Sequence, residues 1–112
     1  LDEISITSKT EYAELRPNGK IKLGNISPKS LGVNYSTIND IQGGTPDQNA
    51  KIIKEILNGV RGPCRDIVVI NAAAGIVVGG KADTLNDGIH LAVESIDSGA
   101  AHNALLSLTS MK

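Results

Sequence analysis

Two adjacent carboxylates, Asp2 and Glu3, stand at the head of the chain and lead into the apolar Ile4. Carboxylate oxygens are hard donors, and Mg²⁺ is commonly held by one or two of them together with water and substrate phosphates. Two charges near a chain end also serve as ordinary solvated surface. Residue type alone leaves both readings open.

Three other clusters have the composition of a site. Gly75-Ile76-Val77-Val78-Gly79-Gly80-Lys81-Ala82 comes close to a nucleotide-binding phosphate loop, but Ala82 stands where a hydroxyl must reach Mg²⁺. Its supposed loop is a β-branched apolar run, so the spacing reads instead as a buried helix ending at Gly79-Gly80. Gly43-Gly44 precedes a helix start, where free N–H groups can hold a phosphate. There Thr45 and Gln48 are placed to occupy those donors as caps. Arg61-Gly62-Pro63-Cys64-Arg65-Asp66 combines cations with a thiol, yet neither His90 nor His102 is placed in sequence to activate Cys64. This segment reads as a helix start with Pro63 near the first position and Asp66 in the first turn. Arg61 and Arg65 are then solvated or paired with carboxylates, and both histidines are expected on the surface.

The elements that position these residues are legible in part. Short alternating runs, Ile4-Ser5-Ile6-Thr7, Tyr12-Ala13-Glu14-Leu15 and Ile21-Lys22-Leu23, predict a strand followed by a hairpin turning at Pro17-Asn18-Gly19. Residues 25 to 44 predict irregular chain with at most one short helical turn, near Pro28 to Leu31. Thr45-Pro46-Asp47-Gln48 opens a helix whose apolar face is Ile52, Ile53, Ile56 and Leu57 and which Gly59 stops. Ile67 to Val78 is apolar almost all round apart from Asn71, and its length and alanines favour a helix that needs neighbours on every side. Thr84 caps a further helix with a stripe of Leu85, Ile89, Ala92, Val93 and Ile96, ended by Gly99. A last amphipathic helix is expected from Ala101 to Met111.

Composition bounds the possibilities. A chain of 112 residues forms one domain, with 40% hydrophobic and 21% charged residues. Aromatic content is 2%, only Tyr12 and Tyr35, so the core must be aliphatic. A formal charge of -1 and the lack of aromatic platforms disfavour a nucleic-acid partner, and no segment suggests a membrane span. The single cysteine, Cys64, fits a reducing, cytoplasmic setting. Leu1 lacks an initiator Met or a leader pattern ahead of it, and the head of the chain is read as a cut within a longer protein.

Five strings in order, Leu1-Asp2-Glu3-Ile4-Ser5, Gly43-Gly44-Thr45-Pro46 with Asn49-Ala50, Gly62-Pro63 with Arg65-Asp66, Asn71-Ala72-Ala73-Ala74, and Gly80-Lys81-Ala82, resemble the C-terminal third of the anthranilate phosphoribosyltransferase family over essentially all 112 residues. Many relatives carry an acidic residue after Gly-Gly where this chain has Thr45. The resemblance implies an α/β fold, the C-terminal portion of a catalytic domain of nucleoside phosphorylase and phosphoribosyltransferase type, with strands first and packed helices after. It also implies transfer of the phosphoribosyl group of phosphoribosyl pyrophosphate to anthranilate in tryptophan biosynthesis, with Mg²⁺ as cofactor and Asp2 and Glu3 as its ligands. The family's pyrophosphate loop, its anthranilate contacts and its N-terminal helical domain, through which it forms a homodimer, would precede Leu1. On that basis the chain alone is expected to be inactive, with no catalytic residue of its own and with the acidic pair solvated, mobile and metal-free. The rival expectations are a nucleoside phosphorylase of the same fold and a catalytically silent scaffolding or self-association module.

Overall fold

The computed structural model describes residues 3–111. Strand β1, Thr10–Leu15, pairs antiparallel with β2, Ile21–Ile26, in a register running from Thr10 opposite Ile26 to Leu15 opposite Ile21. The turn between them is the expected Pro17-Asn18-Gly19. Gly19 takes φ 78°, Arg16 N–H donates to the Lys20 carbonyl at 2.8 Å, and Asn18 Oδ1 accepts from Lys20 N–H at 3.0 Å. This is a three-residue hairpin loop with glycine at its left-handed position. On one face Tyr12 lies against Gly24, its cross-strand partner, so closely that a Cβ on Gly24 would meet the ring at 2.7 Å. On the other face Leu15, Ile21 and Leu23 are exposed.

The expected strand at Ile4 to Thr7 is absent, and regular pairing begins only at Thr10. Hydroxyls account for the difference. Thr10 Oγ1 accepts from Ser5 N–H at 2.9 Å, and Ser5 Oγ accepts from Thr7 N–H at 3.0 Å. Local side-chain bonds of this kind compete with a sheet ladder for the same backbone groups.

After β2 the chain makes a short 3-10 turn at Pro28–Leu31, where one is expected, capped by Ser27, and a second at Ile38–Ile41, one more than the sequence predicts. In the second, Asp40 Oδ2 accepts from both the backbone N–H and the hydroxyl of Thr37 at 2.7 Å. Those two bonds, the backbone one foremost, hold the Asp40 carboxyl below its ordinary range.

Four helices follow: α1, Pro46–Leu57; α2, Pro63–Val78; α3, Leu85–Asp97; and α4, Ala100–Thr109. Thr45 and Gln48 cap α1 reciprocally, Pro63 sits in the first turn of α2, and Thr84 Oγ1 accepts from Asp87 N–H at the start of α3. Gly59 and Gly99 take positive φ at the ends of α1 and α3, as expected of helix stops. The core is aliphatic. Ile56 of α1, Val69 of α2 and Ala92 and Ile96 of α3 bury together, with Ile52, Leu57, Ile89 and Val93 packed around them. Helix α2 packs chiefly on α3, while Val68, Ala72, Gly75 and Val78, spaced four, three and three residues apart, leave an exposed apolar stripe along it. The expectation that α2 needs neighbours on every side is met by this chain except along that stripe.

Candidate metal-binding segment

Asp2 lies outside the described residues. Glu3 is exposed, in a bend just ahead of a segment that is firmly held. Asn71, the polar exception in α2, binds Ile4 at both backbone groups. Its Oδ1 accepts from Ile4 N–H at 2.9 Å, and its Nδ2 donates to the Ile4 carbonyl at 2.9 Å. The same Nδ2 donates to the Ile67 carbonyl one helical turn back, also at 2.9 Å. Only one orientation of the amide satisfies one N–H donor and two carbonyl acceptors. The side chain thus treats Ile4 as a facing antiparallel strand residue would.

The next residues are pinned as well. Ser5 is 6% exposed and its N–H is taken by Thr10, while Ile6 is fully buried and its carbonyl accepts from Ser36 N–H at 3.0 Å. Glu3 therefore emerges from a stretch tied successively to α2, to the start of β1 and to the loop before the second 3-10 turn. It opens onto a cleft of about 640 Å³ whose walls include Ser5, Thr7, Lys9 and Thr10. A carboxylate sharing a cleft with hydroxyl residues is oxygen chemistry, of the kind that suits Mg²⁺ and not a soft metal, although Lys9 adds a cation to the same wall. Among the described residues no three His, Cys, Asp or Glu side chains converge on a metal-sized point, so any ion here relies on few protein ligands.

The remaining sequence candidates resolve into structure. At Gly43-Gly44 the donors are consumed: Gly44 N–H binds Asn49 Oδ1 at 2.8 Å, Thr45 N–H binds Gln48 Oε1 at 2.8 Å, and Gln48 N–H binds Thr45 Oγ1 at 3.3 Å. Gly75 to Val78 is the last turn of α2, with no loop to cradle a phosphate. Cys64 donates its thiol to the Asp40 carbonyl at 3.4 Å, which ties α2 to the second 3-10 turn. His90 is exposed as expected. His102 departs from expectation, being half-buried with its Nδ1 enclosed and without a hydrogen-bond partner among the described residues.

Of the two alternatives for Arg65, solvated or paired with a carboxylate, the structure shows the second. Arg65 is 4% exposed, and its Nη2 meets Asp97 Oδ1 at 2.8 Å, joining the first turn of α2 to the last turn of α3. Beside it, burial pushes the Asp66 carboxyl above its ordinary value, while the charges of Arg65 and Arg61 pull it part of the way back.

The sequence pattern of the glycosyl transferase family, a/b domain, matches residues 1–102. The chain belongs to this family. Within the glycosyl transferase a/b domain family it is similar to the anthranilate phosphoribosyltransferase of Methanobrevibacter smithii, at 48% identity over 94% of this chain and 31% of the relative. The corresponding protein of Clostridium beijerinckii is 46% identical over 100% of this chain and 33% of the relative. Among solved structures, anthranilate phosphoribosyltransferase from Saccharomyces cerevisiae in complex with 4-fluoroanthranilate superposes with a TM-score of 0.82 at 30% identity, over 94% of this chain and 31% of that one. A serine-to-alanine variant of the yeast protein, described with Mg bound, gives 0.81 at 28% identity over the same shares. The chain thus spans about a third of the length of the curated relatives it matches. Its two-strand hairpin followed by packed helices is the α/β arrangement of the matching part of those structures.

Proposed function

We propose that this chain is the C-terminal segment of the α/β domain of an anthranilate phosphoribosyltransferase, contributing Asp2 and Glu3 as ligands of Mg²⁺. The observation that carries this reading is the agreement of relatives at 42 to 49% identity, each an anthranilate phosphoribosyltransferase, over nearly all of the chain. The exposed Glu3, lining a cleft with the hydroxyl residues Ser5, Thr7 and Thr10, supports it from the side of chemistry. The reading includes phosphoribosyl pyrophosphate and anthranilate as substrates, a place in tryptophan biosynthesis, a cytoplasmic homodimer, and a helical domain and further α/β residues supplied by the rest of the parent.

Displacing pyrophosphate from an anomeric carbon builds negative charge on the leaving group and positive charge on the sugar. Mg²⁺, when bound, would neutralise part of the leaving-group charge. This chain's share is positional: the ties on Ile4, Ser5 and Ile6 fix the backbone next to Glu3, which favours a carboxylate placed before substrate arrives.

The test is an assay of the full-length parent with phosphoribosyl pyrophosphate and anthranilate, against nucleoside and phosphate. Turnover only of the first pair is expected, with a large loss at limiting Mg²⁺ in the Asp2→Asn, Glu3→Gln double variant. Nucleoside phosphorolysis, or indifference of the double variant to Mg²⁺, would overturn the reading. The 112-residue chain by itself is expected to show no transfer.

A further inference from the structure

We infer that Asn71 is a positioning residue for the metal: through its paired bonds to Ile4 it sets the direction in which Glu3 leaves the protein body. This rests on the metal-pair reading above and goes beyond it, because Asn71 is remote in sequence and, among the described residues, bonds to Ile4 and Ile67 and not to Glu3.

The geometry is specific. A mid-helix asparagine would ordinarily face solvent or bond back to its own helix. Here one donation goes to Ile67 in that way, while the acceptor and the other donation are spent on a single residue 67 positions away. Those bonds take both backbone groups of Ile4, fixing its orientation as well as its distance. Ile4 is the residue directly after the acidic pair, so rotation about Ile4 would swing Glu3 across the cleft mouth. A helix is also the stiffest support available for such a tie, and α2 is itself held by buried Val69, Ile70 and Ala73. Groups hydrogen-bonded directly to metal ligands alter metal affinity by about 10 to 100-fold when removed, and Asn71 acts one residue further back, which sets the low end of that range as the expectation.

The experiment uses the full-length parent carrying Asn71→Leu, which keeps size and removes all three bonds. Mn²⁺ binding is followed by paramagnetic resonance, Mg²⁺ activation by turnover, and protection of the Ile4 amide by hydrogen exchange. Ile96→Val, which thins the core on α3 and leaves the tie in place, controls for lost stability. Expected for Asn71→Leu are Mn²⁺ dissociation and Mg²⁺ activation constants raised about tenfold or more, with Ile4 protection lost and the KM for anthranilate unmoved. Ile96→Val should leave all of these near wild type. If the Asp2→Asn, Glu3→Gln double variant weakens metal binding and Asn71→Leu does not, the positioning role is overturned while the metal pair stands. If neither variant moves the metal constants, both readings fall. Should Asn71→Leu not fold, Asn71→Asp keeps the acceptor for Ile4 N–H and loses both donors. Its added carboxylate favours cations, so weakened Mn²⁺ binding there still reports loss of the tie, and unchanged or tighter binding overturns it.

Discussion

Gly88 of α3 crosses α2 directly over Ala73: a Cβ on Gly88 would lie 2.7 Å from the Ala73 carbonyl oxygen and 3.1 Å from its Cα. The obstacle is backbone, and Ala73 is fully buried, so it has nowhere to retreat. Overpacking of this kind costs about 1–3 kcal/mol, more than the gain of about 1 kcal/mol in helix propensity from replacing a mid-helix glycine. Gly88→Ala is therefore expected to destabilise the chain in urea unfolding. Gly75, in the last turns of α2, faces open space, and Gly75→Ala should stabilise by about 0.5–1 kcal/mol. Equal midpoints for the two variants would contradict the crossing.

The ion pair between Arg65 and Asp97 should respond asymmetrically to truncation. Each charge sits at the unfavourable end of its own helix, a cation in the first turn of α2 and an anion in the last turn of α3, and each is compensated by the other across 2.8 Å. Arg65 is buried while Asp97 is half-exposed. Asp97→Ala leaves a buried guanidinium unpaired and should cost about 1–3 kcal/mol. Arg65→Met removes the buried charge and keeps an apolar stem, and is expected to cost less. Denaturant midpoints at low and moderate salt test the order, and a greater loss from Arg65→Met would refute it.

Two aspartates should give stability opposite dependences on acid. Asp40 is held below its ordinary value of 3.8, so its contribution is complete above that pH and is lost as pH falls through its lowered value. Asp66 is raised above 3.8, so the native state binds the proton more tightly there than the unfolded chain does. Its contribution is complete below 3.8 and is lost as pH rises through the raised value. Asp66→Asn is accordingly expected to raise the melting temperature at neutral pH, with the advantage closing on acidification. Asp40→Asn should lower it at neutral pH, with the deficit closing below 3.8. Melting temperatures of the three proteins from pH 3 to 7 decide the matter, and parallel curves would count against both assignments.

The helices were legible because their signals are local. Thr45 with Gln48, Pro63, Thr84 and the glycines at 59 and 99 act within one turn of where they stand, and each works as its type predicts. The hairpin was legible for the same reason, through Pro17-Asn18-Gly19. Ile4 to Thr7 misled because alternation of apolar and hydroxyl residues suits a strand, while the hydroxyls of Ser5 and Thr10 take the backbone partners a strand would need. The half-burial of His102 and the pairing of Arg65 with Asp97 depend on how helices meet, which residue spacing does not carry. For the candidate site, the sequence offers the acidic pair as a proposal, but not the residue that ties the chain next to it. The one available hint was a lone amide in an otherwise apolar helix, and it takes the fold to show that its partner is Ile4.

The length of chain enclosed by the bond from Asn71 to Ile4 also orders assembly in time. A loop of 67 positions must close before that bond can form, whereas α2 and α3 are joined by a short link and meet as neighbours. Folding is then expected to start at the crossing of α2 and α3, with the tie at Ile4 forming last. In a chevron experiment, Gly88→Ala should slow refolding, while Asn71→Leu should leave refolding nearly unchanged and accelerate unfolding.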